Sequence, residues 1–391
     1  MTPRYGIGSS GPHIAIACSG LGHVQRGIEA WAADLGQALR RGGAHVTLFA
    51  AEAGPGGTVG VPCLRRGTSG ARAVAGAMRH LGGWRFGMGS PYDVEQTSFA
   101  LSLWPRIRRG FDILHVQDPT IATWFERAYR RGLSGAKVIY ANGTGEDARV
   151  MQRFAHLQLL TPAAFDAWQP SRPPAQKVFM LPNFIDTDRF APGDRSLARA
   201  GFDLPPDATI VLCCAAIRRY HKRIDYLLSE FAAVTRADPA GTLLVIAGAR
   251  EADTDRLISE GATLLGQRVR FLPDLPRAQM PDLYRAADMF VLPSLHEMFG
   301  IVLLEAMASG LPVLCHDEPG FRGIVGPGGL YRDFTRDGAL AAALAAAFDH
   351  DTRVRISCAA RTHVERTYSA DAVVPRIKAM YDTVLGCRHD G

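Results

Sequence analysis

Short apolar runs alternate with segments of helical periodicity along this chain, and this alternation constrains the fold more than any other feature. Residues 13–18 (HIAIAC) and 46–50 (VTLFA) are apolar runs typical of buried strands. Between them, residues 28–41 carry apolar side chains at helical spacing, so we predict a connecting helix. Alternating strands and helices predict a parallel sheet that is covered by helices on both faces.

The alternation stops at residues 182–192 (PNFIDTDRFAP), a polar segment bounded by prolines, and then starts again. We therefore predict an α/β fold with two Rossmann-like parallel-sheet domains facing an interdomain cleft. Further strands are expected at 113–116, 137–140, 158–160, 178–181, 210–215, 242–247, 268–272, 289–293 and 312–315, with helices at 224–236, 279–287 and from about 299.

The expected N-terminal domain covers residues 1–185 and the C-terminal domain residues 186–369. A last amphipathic segment, 370–391, is expected to pack back on the N-terminal domain. Residues 51–110 are rich in Gly and Arg and contain one weak helix near 71–80. The sequence leaves open whether they form a substrate-facing insertion or a lid.

Composition excludes several classes of protein. With 47% hydrophobic and 21% charged residues among 391, the chain is neither disordered nor a coiled coil. The seven cysteines are odd in number and form no C-x-x-C motif, which fits a reducing compartment. The first residues lack an apolar signal core, and no run of 18 apolar residues occurs. These features predict a cytoplasmic protein.

The net charge of +6 is unevenly distributed. Residues 1–185 hold 20 basic and 11 acidic side chains (+9), and residues 186–391 hold 24 and 27 (−3). A basic half suggests an anionic partner such as a membrane surface, or simply solvated arginines. The sequence favours solvated arginines, since no amphipathic helix with a large aromatic face accompanies them. The arginines in question flank the strand at 113–116: Arg106, Arg108, Arg109, Arg127, Arg130 and Arg131.

Residues 292–310 (LPSLHEMFGIVLLEAMASG) carry the strongest chemical signal. A strand ends, a loop carries Glu297, and a helix opens at Gly300, with Glu305 eight residues after Glu297. The first N–H groups of that helix, on Gly300, Ile301 and Val302, predict an anion site. Carboxylates can accept hydrogen bonds from vicinal hydroxyls. An acidic helix start that merely suits the helix dipole is the alternative.

The whole segment resembles the retaining glycosyltransferases of family 4, which have the GT-B fold. Glu297 and Glu305 match the family's E-x7-E signature within its P-S-x-x-E-x-F-G frame. The resemblance implies transfer of a sugar from a nucleoside diphosphate sugar, with UDP as the expected nucleotide, to a hydroxyl acceptor. Glu297 would contact the sugar and Glu305 the ribose, while the loop amides would hold the diphosphate. It implies no cofactor and no metal site.

A second match lies at residues 218–225 (RRYHKRID). The family places an Arg and a Lys here that neutralise the leaving diphosphate, and Arg218 and Lys222 fit those places. The usual preceding glycine is Ala216, and the spacing is one residue shorter. Arg219 therefore stays open as an alternative to Arg218.

The first strand–helix loop, residues 20–29 (GLGHVQRGIE), lacks G-x-G-x-x-G and so does not predict a dinucleotide site. It is similar to the family's Gly-Gly loop, with Gly27 at the second glycine, which implies donor binding. His23 is a candidate for contacting phosphate or acceptor, or an ordinary loop histidine. Asn142 stands where the family often has a histidine on the acceptor side, and His115 is expected to be a packed strand residue.

Alternative functions remain open from sequence. They are a nucleotide-sugar epimerase of the same fold and a catalytically weak nucleotide-sugar-binding protein. A nucleic-acid partner is not expected, because the basic residues lack interleaved aromatics. The acceptor is expected to be a natural product, a glycan or a lipid carrier, with peripheral membrane contact open and the oligomeric state undetermined. Two D-x-D strings are not expected to be metal sites: 186–188 fits a turn in the linker, and 253–255 lies at the start of a surface helix.

Overall fold

The computed structural model describes residues 11–24, 26–237, 241–347 and 349–386. They form two compact units. The first comprises the residues up to 160, residues 164–181 and those from 374 on. The second comprises residues 161–163 and 182–373. Each unit is built on one parallel sheet, and the α/β class with two Rossmann-like sheets is confirmed.

The first sheet has seven parallel strands in the order β3-β2-β1-β4-β5-β6-β7. The chain order reverses between β1 and β4, so the connections leaving these neighbours diverge there. Every residue of β1 is buried, as expected for a strand with helices on both faces. The strands are β1 (Ile14–Cys18), β2 (Val46–Ala50), β3 (Val59–Gly60), β4 (Ile113–Val116), β5 (Lys137–Asn142), β6 (His156–Leu159) and β7 (Lys177–Met180).

Six helices connect these strands or follow them. They are α1 (Gly27–Arg41), α2 (Ser69–Arg79), α3 (Pro91–Ile107), α4 (Pro119–Arg130), α5 (Ala148–Met151) and α6 (Pro162–Trp168).

The second sheet has six parallel strands in the order β10-β9-β8-β11-β12-β13. Its reversal of chain order lies between β8 and β11. The strands are β8 (Thr209–Cys214), β9 (Thr242–Gly248), β10 (Val269–Pro273), β11 (Met289–Leu292), β12 (Val313–His316) and β13 (Gly329–Arg332). The helices in this part of the chain are α7 (Arg195–Gly201), which precedes β8, α8 (Ile224–Ala237), α9 (Thr254–Leu265), α10 (Met280–Ala286), α11 (Ile301–Ala308), α12 (Pro319–Val325), α13 (Ala339–Ala347), α14 (His350–Thr367) and α15 (Ala370–Leu385).

The last helix, α15, is tied to the first unit by polar contacts that complement apolar packing. The hydroxyl of Tyr381 lies 2.8 Å from His115 Nδ1, and His115 Nε2 lies 2.8 Å from Gln158 Oε1. Lys137 Nζ donates to the carbonyl of Val384 at 2.7 Å. His115 is fully buried, and burial lowers its pKa to about 3, so it is a neutral packing residue.

The region that the sequence left unresolved, residues 51–110, is largely helical. It contains α2 and the 17-residue α3. Ser90 caps α3 by accepting a hydrogen bond from Asp93 N at 3.1 Å, and Pro91 occupies the first turn. Periodicity missed α3 because it buries polar side chains, Glu95 and Gln96 among them, so its apolar face is weak.

Among the described residues, no helix combines the length and the apolar character that crossing a bilayer requires.

Candidate functional site

Two loops of the second unit leave the sheet at its reversal point. One follows β8 and carries residues 215–223; the other follows β11 and carries residues 293–300. Because β8 and β11 are neighbouring parallel strands, both loops emerge at the same edge. In open α/β sheets this edge, at this point, is where ligands bind.

The loop after β8 is held in an uncommon backbone conformation. His221 and Arg223 have φ values of 70° and 51°, a left-handed region that side chains other than glycine seldom adopt. Arg223 anchors the loop, since its guanidinium donates to the carbonyl of Phe334 at 2.9 Å and lies 3.9 Å from the centre of the Tyr226 ring. Such strain persists only where the surroundings hold it in place, and it is common at functional sites.

The loop after β8 places Lys222 in contact with Glu297. The Lys222 ammonium is hydrogen-bonded to Glu297 Oε1, although the two residues lie 75 positions apart in sequence. Their side chains are 17% and 10% exposed, so the pair is largely shielded from water and yet reachable. The structure thus brings together two residues that the sequence selected separately.

Of the two adjacent arginines, Arg219 is engaged within the protein. Its guanidinium pairs with Asp225 at 3.1 Å and also with Glu260. Arg218 is half-buried, forms no ion pair with any residue that the structure describes, and has a buried Nε without a partner. Arg218 is therefore the guanidinium that remains available to an anion.

His221 lies within the electrostatic influence of these groups. Burial lowers its pKa, the carboxylate of Glu297 opposes that shift, and the charges of Lys222, Arg218 and His296 lower the pKa further. A neutral imidazole at this position leaves the net positive charge of the site on Lys222 and Arg218. Both cations can therefore compensate negative charge on a ligand.

Gly300 turns the second loop into α11. Its φ of 71° suits glycine, and an added Cβ would come within 3.0 Å of Leu303 Cδ1. The helix itself begins at Ile301, so the N–H groups of Ile301 and Val302 belong to its first turn and have no acceptor within the helix. This helix start follows the Glu297 loop directly and offers the predicted anion site.

Glu305, the second signature carboxylate, is 5% exposed on α11. Its Oε2 accepts a hydrogen bond from the Tyr284 hydroxyl at 2.8 Å. Tyr284 lies on α10, is fully buried, and was not selected from sequence, because nothing in the spacing of α10 marks it. The pair orients the Glu305 carboxylate within the second unit.

The first unit has its own polar cluster at the corresponding edge of its sheet, where β1 and β4 end. His23 Nε2 donates to Glu95 Oε2 at 2.9 Å, and Glu95 also accepts from Arg66 Nε at 2.9 Å. Asp118, just after β4, accepts from Ser19 N at 2.7 Å. We call His23, Arg66, Glu95, Asp118 and Ser19 the first-unit polar cluster.

Burial would raise the pKa of Glu95, but hydrogen bonds from His23 and Arg66 lower it to about 2. Glu95 is thus ionised and fixes His23 with Nε2 protonated. His23 Nδ1 is buried and has no partner among the described residues. Glu95 and Arg66 were not selected from sequence, because Glu95 lies on α3, which was not predicted, and Arg66 lies in the loop before α2.

The glycines of the first loop have different surroundings. A Cβ on Gly20 would overlap Glu29 Oε1, and Gly22 has a φ of 106°. Gly27, selected from the family pattern, is exposed, starts α1, and has open space around its Cβ position. The backbone therefore favours glycine at 22, a side chain at 20 would displace the ends of Glu29 and Arg66, and the open space at Gly27 leaves its expected role in donor binding a prediction.

Asn142 is occupied by its own loop. Its Oδ1 accepts from Gly145 N at 3.1 Å, and its Nδ2 lies 2.9 Å from Met151 Sδ. The side chain is 5% exposed. These bonds shape the turn after β5, and the expected acceptor contact of Asn142 would have to compete with them; that contact stays a prediction.

The first D-x-D string forms a turn and the second lies at the start of α9, both as expected. Asp186 Oδ1 accepts from Asp188 N at 3.2 Å and from Arg189 N at 3.0 Å. Asp253 accepts from Arg219 N, and Asp255 pairs with Arg250. In the part of the chain that the structure describes, no three His, Cys, Asp or Glu side chains are grouped as a metal site would require.

Comparison with curated proteins identifies relatives of part of the chain. A D-inositol 3-phosphate glycosyltransferase of Nocardia farcinica is 38% identical over 150 residues, which cover 37% of this chain and 33% of that protein. That of Geodermatophilus obscurus is 33% identical over 216 residues, which cover 53% of this chain and 47% of the relative. The chain thus spans between about a third and a half of the length of these relatives.

Solved structures match the fold over the whole chain. Sucrose-phosphate synthase from Thermosynechococcus elongatus superposes with a TM-score of 0.76 at 19% identity, covering 96% of this chain and all of that one. Anabaena Alr3699/HepE in complex with UDP and glucose gives a TM-score of 0.73 at 15% identity, with 95% and 100% covered. These likenesses confirm the GT-B fold.

A family model extends over most of the second unit, from residue 194 to 363, and its description is glycosyl transferases group 1. This stretch contains Lys222, Glu297 and Glu305, the residues on which the predicted resemblance depended. The resemblance is therefore confirmed over residues 194–363, where the chain is similar to the glycosyl transferases group 1 family.

Proposed function

We propose that this chain is a retaining glycosyltransferase that moves a sugar from a nucleoside diphosphate sugar, with UDP as nucleotide, to a hydroxyl of an acceptor. The observation that carries the proposal is the hydrogen bond of Lys222 to Glu297 where β8 and β11 end, with Arg218 on the same loop as Lys222 and α11 starting just after Glu297. The family match and the name of the curated relatives support transfer chemistry.

Each residue of the site would contact a different part of the donor. Lys222, Arg218 and the N–H groups of Ile301 and Val302 would face the diphosphate. Glu297 would accept hydrogen bonds from the sugar hydroxyls, and Glu305, oriented by Tyr284, from the ribose. No cofactor takes part in this scheme, and the nucleotide sugar is a substrate.

The chemical step follows from where charge develops. As the bond between the anomeric carbon and the phosphate oxygen breaks, its electron pair passes to the leaving diphosphate. Fixed cations and helix N–H groups stabilise that charge without reorganising, which is commonly the largest catalytic effect. The acceptor hydroxyl then bonds to the anomeric carbon on the same face, and its proton passes to the leaving phosphate oxygen. No protein base is required.

For the acceptor we propose the first unit, at its polar cluster. The unpartnered Nδ1 of His23 and the buried carboxylates there suit hydroxyl groups. The curated relatives are named for D-inositol 3-phosphate, which makes an inositol phosphate the first acceptor to assay.

The test starts with binding and then measures turnover. UDP, GDP, ADP and dTDP are screened by thermal unfolding, since a ligand at about 100 times its Kd stabilises the native state by about 2.7 kcal/mol. Release of nucleoside diphosphate is then followed with UDP-sugars, with and without acceptors, in buffer and in EDTA. We expect UDP to stabilise the protein, release to depend on acceptor and to survive EDTA, and NMR of the product to show a retained anomeric configuration.

The alternatives predict different outcomes. A nucleotide-sugar epimerase would change the sugar without any acceptor. A binding protein would be stabilised by UDP but release nothing. Absence of stabilisation by all four nucleotides would refute the donor site itself.

A further inference from the structure

On the first unit, α3 and α4 pack side by side and leave a groove of about 260 Å³ between them. The groove lies toward the carboxyl-terminal halves of the two helices. We call it the α3–α4 groove. Its lining comprises Ala100, Leu101 and Trp104 of α3, Trp124, Phe125, Arg127 and Ala128 of α4, and Arg131 and Leu133 beyond it.

Large apolar side chains remain in water around this groove. Leu101, Trp104 and Leu133 are 55%, 37% and 55% exposed. Leu101 and Trp104 stand three positions apart on α3 and so lie on one face of the helix. Single exposed apolar residues are ordinary, but a group that lines one groove marks an interaction surface.

Arginines surround the same groove. Arg127 and Arg131 line it, and Arg108 places its guanidinium 5.7 Å from the centre of the Trp104 ring. The other three of the six arginines that flank β4 in sequence are exposed: Arg106, Arg109 and Arg130.

Glu126 offsets one of these cations, Arg130, and Asp112 is the exposed acidic residue of this stretch. Between residues 101 and 133 the acidic residues are Asp112, Asp118 and Glu126. Asp118 and Glu126 are buried, and Glu126 is paired with Arg130 at 2.8 Å. Basic residues near helix ends suit the helix dipole, but that effect explains neither the exposed leucines nor the tryptophan.

We propose that the α3–α4 groove and its arginines bind the surface of an anionic phospholipid bilayer, with Leu101, Trp104 and Leu133 entering the headgroup region. An amphipathic surface of this kind binds through apolar area together with attraction to anionic lipid. Tryptophan suits the headgroup region, because one end of its ring is apolar and the other polar.

The sequence favoured solvated arginines because no single helix carries a large aromatic face beside them. In the structure, α3, α4 and the residues just after α4 together form an apolar surface that contains aromatic side chains. This proposal does not depend on the proposed transferase activity.

Co-sedimentation of the full chain with vesicles tests the proposal. Vesicles of phosphatidylcholine alone are compared with vesicles containing an equal amount of phosphatidylglycerol, at low and at physiological salt. We expect binding to the anionic vesicles only, falling steeply with salt, because exposed charges are screened over about 8–10 Å. Arg127→Gln with Arg131→Gln should weaken binding about 25-fold, at about fivefold per arginine.

Two further variants separate apolar insertion from charge. Leu101→Ser with Trp104→Ser should also reduce binding, and thermal unfolding should show that this variant remains folded. Matched controls on the second unit are Leu197→Ser, at a leucine that is 72% exposed, and Arg355→Gln, and both should bind as wild type.

Three results would overturn the proposal. They are no binding at low salt, equal binding to neutral vesicles, and unchanged binding by the Arg127 and Arg131 variants. Poly-glutamate provides the alternative occupant. If it binds in a manner that depends on Arg127 and Arg131 while vesicles do not bind, the surface serves an acidic protein instead.

Discussion

Replacement of Lys222 by methionine tests the donor site most directly. Methionine keeps most of the apolar stem and removes the charge that is hydrogen-bonded to Glu297. Hydrogen bonds to charged groups contribute about 1.5–3 kcal/mol. Since 1.4 kcal/mol is a factor of ten, loss of the Lys222 contact should weaken UDP binding about 10- to 150-fold. The rate should fall by about 10²–10³-fold, because the contact strengthens as charge grows on the leaving group.

The same variant changes stability, and this effect has to be separated from the effect on function. Lys222→Met leaves the Glu297 carboxylate, 10% exposed, without its cation. An unpaired buried polar group costs about 1–3 kcal/mol, so the melting temperature should fall. Adding Glu297→Gln should restore much of the stability without restoring the rate.

Two neighbouring arginines provide the controls. Arg218→Met should resemble Lys222→Met in UDP affinity, whereas Arg219→Met should bind UDP as wild type, because Arg219 is engaged with Asp225 and Glu260. Calorimetry gives the Kd and single-turnover kinetics give the rate. If Lys222→Met binds UDP and turns over within a factor of about three of wild type, the assignment of Lys222 is refuted.

Two further predictions concern carboxyl groups. Burial raises the pKa of Glu29 from its ordinary 4.5 to about 7, so the native state binds the extra proton between these pH values and stability falls as pH rises through them. Relative to Glu29→Gln, the wild type should lose about 3 kcal/mol between pH 4.5 and 8 in urea unfolding, and a pH-independent difference would contradict this. For Glu305, Glu305→Gln should raise the KM for donor about 10- to 150-fold while leaving kcat nearly unchanged. Glu305→Ala should in addition lose about 1–3 kcal/mol of stability, since it removes the acceptor of the shorter hydrogen bond of the Tyr284 hydroxyl; an unaltered KM in both would remove Glu305 from the donor site.

The two parallel sheets were predictable because their information is local. Strands buried on both faces read as continuous apolar runs, so β1, β2 and β8 stand out within a few residues of their observed bounds. Helix α3 was not predictable by the same criterion, because Glu95 and other polar residues take core positions and blur its periodicity. Its capping signal at Ser90 and Pro91 was present in the sequence and could have marked its start.

The residue types of the donor site were also determined by the sequence, since Lys222, Glu297, Gly300 and Glu305 belong to short motifs at strand ends. Their partners were decided only by the tertiary structure. The contact of Lys222 with Glu297 spans 75 positions and exists because β8 and β11 are neighbours in the sheet.

The choice between Arg218 and Arg219 could not be made from spacing either, because it depends on Glu260, a residue of α9 that only folding brings near Arg219. The α3–α4 groove has the same origin. Each helix contributes part of an apolar surface that is unremarkable by itself, and periodicity along one helix cannot register a surface that two helices share.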